Sequence, residues 1–320
     1  MCKQSSILPK RLKILSFNVE GIKSELDDPN FIELMYKHDI CLLNETWRAE
    51  DTKINLPGLW DFSYIRPKIK RVGRHSGGIT IFCKEDLRSG VKVVQATEGF
   101  VWIKLDRYTF NIDKPLFICA TYIPPEYSVK KSINKPDYYT SLTCSLSKYS
   151  EEGNVLIAGD FNARMGGDIT KTHELKCIDN ITPTNEITLE DRSSCDNTTN
   201  DYGKKLDKVC KSFNLVIANG RTAGDRLGNF TCYNNRGVSV VDYVISDQRF
   251  FKQIESMQVL DPEYGSVHTP ISIVVKITPY RAHAHNDKLL KTPPAFKWNT
   301  AARAPLRDLL LRESHKFGEL

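Results

Sequence analysis

The sequence has no long hydrophobic run. No stretch approaches the roughly 18 apolar residues that a membrane-crossing helix needs, so no membrane partner is expected. None of its nine cysteines forms a C-x-x-C pair, which argues against a zinc ribbon or finger. The chain has no secretory leader and an odd number of thiols, so a reducing, intracellular compartment is expected rather than a disulfide framework. The Gly77–Gly78 pair does not match a P-loop, and there are no internal repeats. What is present is ordinary globular composition: 320 residues, 40% hydrophobic and 26% charged. The net charge of +6 is compatible with a polyanionic partner without requiring one.

From Arg11 onward the chain is a series of short apolar runs. They are LKILSFNV, DICLLNET, GGITIFC, FVWIKL, LFICATY, NVLIAGD, NLVIAN, NFTCY, VSVVDYVIS and TPISIVVKI. Each is rich in Ile, Val, Phe or Tyr and bounded by Gly, Asn, Asp or Pro, so each reads as a buried strand. Helical spacing marks Asn30–Lys37, Asp137–Tyr149 and Asn200–Phe213. Many strands with fewer helices imply sheets packed on each other, with helices outside. Residues 1–10 are polar and expected to be disordered, and residues 11–277 form the domain. Residues 278–320 read as a linker and partial helix, the start of a downstream region cut short. The polar stretch Arg164–Thr199 is long for a connection, and such loops are usually functional or disordered.

The polar residues fall at the ends of these runs. Asn18, Glu45 and Tyr122 each end one, Asp160 and Asn162 follow NVLIAG, Asp242 lies inside VVDYVIS, and His268 opens HTPISIVV. Strand ends position side chains rigidly and open to water. Asn and Asp also end strands merely as turn formers. Glu45 is harder to explain that way, because Glu is poor in strands and follows an apolar CLL run. Asp242, between Val241 and Tyr243, needs a metal, a His or a donor for its carboxylate. Phosphodiester hydrolysis needs a cation, a base for water, and donors around the developing charge. Glu45 with Asn18 offers oxygen ligands suited to Mg²⁺, with Mn²⁺ as a substitute. Asp160 can take the proton from water, and His268 oriented by Asp242 can bond the phosphate.

The motifs FNVEG, LNETW, GGITIF, ATYIPP, GDFNAR, VDYVIS and SVHTPI resemble, in order and spacing, the endonuclease/exonuclease/phosphatase superfamily over residues 11–276. The finer resemblance is to the apurinic-like endonuclease domain of LINE (non-LTR) retrotransposons, through RHSGGITIFCK, EDRSSCDNTTNDYGKKLDKVC and GNFTCYNNRGVSVVDYVISD. It implies an α/β fold of four layers, two face-to-face mixed β-sheets flanked by helices. It also implies a DNA endonuclease that leaves a 3′-hydroxyl, a downstream reverse transcriptase and a nuclear location. Matching position by position, Asn18 orders the metal site, Glu45 ligates the metal and Tyr122 lies near the scissile phosphate. Asp160 activates water, Asn162 holds phosphate or nucleophile, and Asp242 orients His268.

One departure stands out. The family pattern S-D-H-x-P reads Ser266-Val267-His268-Thr269-Pro270 here, so the carboxylate before the His is missing. Its loss implies a weakened site or a decayed copy of a mobile element; Asp261 and Glu263 lie a few residues upstream. Lys70, Arg71 and Arg74 sit in a basic run that reads either as a solvated loop or as a phosphate-backbone contact. Arg164 follows the GDFNA turn and is a candidate for facing substrate, whereas Trp47, Trp60 and Trp102 read as packing residues. The competing functions are abasic-site repair, a catalytically dead nucleic-acid-binding remnant, and a small-molecule phosphatase. Neither target-site preference nor oligomeric state can be read from the sequence.

Overall fold

The computed structural model describes residues 11–49, 54–67, 75–130, 136–167, 191–262, 264–277 and 279. The expected disordered start, the expected linker and partial helix apart from Pro279, and the basic positions Lys70, Arg71 and Arg74 lie outside the described residues. In chain order the strands are β1 (Leu12–Asn18), β2 (Ile40–Asn44), β3 (Leu59–Tyr64), β4 (Ile79–Lys84), β5 (Val91–Ala96), β6 (Phe100–Leu105) and β7 (Leu116–Tyr122). They continue with β8 (Asn154–Asp160), β9 (Leu215–Ile217), β10 (Cys232–Asn234), β11 (Gly237–Ser239), β12 (Asp242–Asp247), β13 (Ile254–Val259) and β14 (Ile271–Val275). The helices are α1 (Ile22–Glu25), α2 (Pro29–Tyr36), α3 (Glu126–Lys130), α4 (Tyr138–Glu152), α5 (Asp201–Ser212) and α6 (Gln248–Phe251).

Among the described residues the strands form two mixed six-stranded sheets, ordered β13-β14-β1-β2-β4-β3 and β5-β6-β7-β8-β12-β9, with β10-β11 as a separate hairpin. Side-chain alternation explains why the central runs are apolar on both faces. In β1, Leu12 and Ile14 join a core shared with Val101, Ile103, Ile118, Leu156 and Val244 of the second sheet. Leu15 and Phe17, pointing the other way, pack with Phe31, Leu34 and Met35 of α2. The outer face of the second sheet, with Trp102, Phe117, Ile157 and Tyr243, is covered by Leu142 and Leu146 of α4 and Leu206 and Val209 of α5. The result is the expected helix–sheet–sheet–helix sandwich. Asp28, Asp137 and Asn200 cap α2, α4 and α5, each accepting an N–H from the first turn of its helix.

Three strands escape a search for continuous apolar runs: β3, β5 and β13. All lie at sheet edges, where one face is left half-buried and the sequence turns mixed, as in LWDFSY and IESMQV. The single run VSVVDYVIS is split instead, part forming β11 and part β12. Thr231 causes the break: its Oγ1 accepts from the backbone N–H of both Val241 and Asp242.

Chain direction fixes where the site lies. β1 runs parallel to β2, and β7 parallel to β8, so Asn18, Asn44, Tyr122 and Asp160 all end their strands at one edge of the sandwich. β12 is antiparallel to β8 and begins at that edge, with Asp242 opposite Asp160. β14 is antiparallel to β1, which brings the preceding His268 to the same place.

Candidate active site

The edge gathers seven of the residues singled out from sequence. Asp160 is buried and accepts three N–H groups: the Asn162 backbone at 2.8 Å, Asn162 Nδ2 at 3.0 Å and Asn18 Nδ2 at 3.0 Å. Asn18 Nδ2 also reaches Glu45 Oε1 at 3.2 Å, and its Oδ1 accepts the backbone N–H of Glu20 at 3.2 Å. Asn18 therefore bridges the two carboxylates with its nitrogen. The buried Tyr122 hydroxyl bonds to Glu45; burial first, then the Glu45 and Asp160 charges, push its ionisation far up, so it stays a neutral donor. His268 Nδ1 lies 2.9 Å from Asp242 Oδ2, and its Nε2 faces Asp160 Oδ2 at 3.8 Å. That second distance exceeds a hydrogen bond, so an oxygen lying to one side of the line joining the two atoms can hydrogen-bond to both.

The electrostatics follow from burial. Desolvation works to lower the pKa of His268, but Asp242 and Asp160, with the bond to Asp242, overcome it and hold the imidazole well above its ordinary value. Burial pushes the Asp160 carboxyl up to about 8; His268 pulls against that shift, and Asp242 and Glu45 add to it. Negative charge is thus in excess here, as an oxygen-liganded divalent cation would require. One atom each of Asp160, Asp242 and His268 lies within 4.8 Å of the others, a candidate cation site. Asp242 holds the Nδ1 side of His268, which leaves Nε2 facing Asp160. Glu45, tied to Asp160 through Asn18, adds a further carboxylate beside this group, and carboxylate oxygens of this kind fit Mg²⁺.

These shifts set a pH dependence for the metal-free protein. Both groups have raised folded pKa values, so each contributes stability at low pH that is lost as pH rises. For Asp160 the loss runs from its unfolded value of about 4 up to about 8. Thermal melts in chelator should therefore show Tm falling between pH 5 and pH 9 by more than in Asp160→Asn, and Mg²⁺ should restore most at the alkaline end. Equal pH profiles for the two proteins would contradict the assignment.

Other residues enter from outside the expected set. Glu20 accepts the backbone N–H of Val267 at 2.9 Å, placing a carboxylate beside the position where the family Asp is missing. Ser266 Oγ donates to the Asn18 carbonyl at 2.7 Å and accepts the His268 N–H at 3.1 Å. The Thr231 carbonyl accepts the N–H of Thr269 at 2.9 Å, so one buried Thr ties the Asp242 and His268 segments together. Glu20 carries a signal in the sequence, an acid directly after an apolar run, and Ser266 opens the S-V-H-T-P motif; Thr231 carries none. Arg164 is held in a two-pronged pair with buried Asp196, at 2.6 and 2.8 Å. That bond gives it a structural role and leaves its remaining N–H groups for any substrate contact.

Backbone strain is concentrated here. Among the described residues six non-glycine positions have positive φ, and four of them, Glu20, Glu45, Trp47 and Asn162, belong to this edge. Such conformations cost on the order of 1–3 kcal/mol each and persist where surrounding structure enforces them. At Gly159 (φ 143°), a Cβ would lie 2.0 Å from the Thr121 carbonyl, so only glycine lets β8 approach β7 just before Asp160.

Comparison with known proteins agrees with this fold. The endonuclease/exonuclease/phosphatase family model matches residues 15–262. No curated protein matches in sequence. Among solved structures, the catalytic domain of Xenopus laevis APE2 is similar with a TM-score of 0.61 at 16% identity, covering 85% of this chain and 94% of that one. The AP endonuclease LMAP from Leishmania major gives 0.61 at 14% identity, covering 83% and 88%. The endonuclease domain of TRAS1, a telomere-specific non-LTR retrotransposon, gives 0.53 at 15% identity, covering 83% and 98%. At these identities the likeness is one of fold. Among the described residues no helix is long and apolar enough to cross a membrane. With the family match spanning most of its length and the fold repeated in these structures, the chain belongs to the endonuclease/exonuclease/phosphatase family of phosphodiesterases and nucleases.

Proposed function

We propose that this chain is a Mg²⁺-dependent DNA endonuclease of the LINE type, which nicks target DNA to leave a 3′-hydroxyl. The observation that carries the hydrolytic part is the facing pair Asp160 and His268, 3.8 Å apart, with Glu45 tied to Asp160 through Asn18. Glu45 would hold the cation, with Asn18 ordering it, and the bound ion supplies charge neutralisation at the phosphate. Asp160 in its ionised form takes a proton from the attacking water. Asn162 Nδ2 fixes that carboxylate and is itself anchored to the Ile123 carbonyl at 2.9 Å. His268, kept charged by Asp242, donates from Nε2 to a phosphoryl oxygen, and Tyr122 adds a neutral hydroxyl beside Glu45. The LINE-type motifs around Gly77–Gly78 and Thr231–Asp242 support DNA as substrate, with Lys70, Arg71 and Arg74 proposed as backbone contacts. A downstream reverse transcriptase and a nuclear location belong to the same reading.

Abasic-site cleavage uses the same residues. Comparing a supercoiled plasmid with a duplex carrying one abasic site separates the two. The LINE reading expects nicking of the intact plasmid at a rate comparable to the abasic duplex; cleavage confined to the abasic duplex would replace it with repair.

The remnant reading rests on Val267. Its side chain is exposed, and its N–H already binds the Glu20 carboxylate. Val267→Asp adds a second carboxylate at the rim. A carboxylate at the rim attracts the divalent cation, so the Mg²⁺ concentration for half-maximal nicking should fall and the subsaturating rate should rise. If both match the starting protein, Glu20 and Glu45 suffice without the family Asp. If both proteins are folded, bind DNA and are inert, the remnant reading gains.

A further inference from the structure

In the proposed mechanism Glu45 holds the cation, and its second oxygen is bound by a residue that the sequence marks only as packing. Trp47 Nε1 donates to Glu45 Oε2 at 3.0 Å, while Asn18 takes Oε1 at 3.2 Å. The indole cannot easily rotate away. Glu45 and Trp47 both have left-handed backbone (φ 49° and 47°), and the N–H of Trp47 bonds to the Gly77 carbonyl at 3.0 Å. The ring lies against Gly21, where an added Cβ would come 2.8 Å from its Cε3 atom. Gly21, at φ 119°, donates in turn to the Glu45 carbonyl at 2.9 Å. One edge of Trp47 reaches a groove of about 450 Å³ that also includes Glu20, Lys23 and His75.

We infer that Trp47 is a positioning residue for the cation: its indole N–H sets the orientation of the Glu45 carboxylate, so that binding at Glu45 is felt by the ring. This rests on the metal reading above. A hydrogen bond to a ligating carboxylate restricts its rotation and tunes its basicity, and loss of such a partner typically costs about 10–100-fold in metal affinity. Trp47→Phe keeps an aromatic ring over Gly21 and removes only the donor.

The test titrates the protein with Mg²⁺ in the absence of nucleic acid and follows tryptophan emission, alongside plasmid nicking at each Mg²⁺ concentration. Four tryptophans are present, so Trp47→Phe and Glu45→Gln serve as references. The expected result is a saturable emission change that is lost in both variants. The half-saturating Mg²⁺ for nicking should rise about tenfold in Trp47→Phe, with little change in kcat at saturation. Mg²⁺-dependent nicking without an emission change in the starting protein, or with an unaltered half-point in Trp47→Phe, would overturn the role of Trp47 and leave the metal reading intact. If nicking needs no divalent ion, the metal reading itself fails. If Trp47→Phe melts or loses its circular dichroism, Trp47→Tyr, which keeps an aromatic ring and lacks the indole N–H, takes its place and is read by the same two criteria.

Discussion

Asp160→Asn should lose plasmid nicking by about 10³-fold, within the range usual for a general base, while the protein stays folded and binds DNA. Asn retains the shape and one oxygen, which can keep the two donors on Oδ2, Asn162 Nδ2 and Asn18 Nδ2, at 3.0 Å; its NH2 then replaces the oxygen that accepts the Asn162 backbone N–H at 2.8 Å, a loss of one hydrogen bond. It cannot accept the proton of water. Above pH 8 that loss is offset, because the carboxyl ionises at a cost: burial pushes it up to about 8. A neutral amide avoids that cost, so metal-free Asp160→Asn should melt no lower than the starting protein above pH 8. Retained turnover in a pure preparation would remove Asp160 from the role of base.

The second large effect concerns the pair beside it. His268→Ala removes a donor to the phosphate and should cost about 10²–10³-fold, as loss of one preorganised donor does. Asp242→Asn leaves the ring but removes the charge that holds it above its ordinary pKa, so a comparable loss is expected. Together the two substitutions should cost little more than His268→Ala alone, because Asp242 acts through the ring it bonds at 2.9 Å. Losses that multiply in the double variant would mean that Asp242 has an independent function, such as cation binding within the Asp160–Asp242–His268 group.

The sequence shows the interior of this fold more readily than its margins. Strands such as LFICATY and NVLIAGD are buried on both faces, and the apolar run alone marks them. The edge strands have one open face, so Trp60-Asp61-Phe62-Ser63 alternates without a long run and is passed over when continuous apolar runs are the guide. The same physics governs the site. Glu45 and Asp242 draw attention because a carboxylate in apolar surroundings demands a partner. Trp47 and Thr231 do not, since an indole or a hydroxyl beside apolar residues is ordinary. Their importance lies in single hydrogen bonds, to Glu45 and to the backbone of Asp242, that exist only once the strands have assembled. Arg164 shows the reverse case: a cation next to the site in sequence is engaged by Asp196, thirty-two residues away.

The central claim is that this edge hydrolyses phosphodiesters with a divalent cation held at Glu45. The most direct measurement is nicking of supercoiled plasmid across a Mg²⁺ titration, with chelator as the zero point and Glu45→Gln in parallel. Glu45→Gln keeps the shape of the side chain and removes the ligand charge. The starting protein should relax the plasmid only when Mg²⁺ is present, and Glu45→Gln should be slower by about 10²-fold or more with an unchanged melting profile. Nicking in chelator, or equal rates for the two proteins at every Mg²⁺ concentration, would contradict the account.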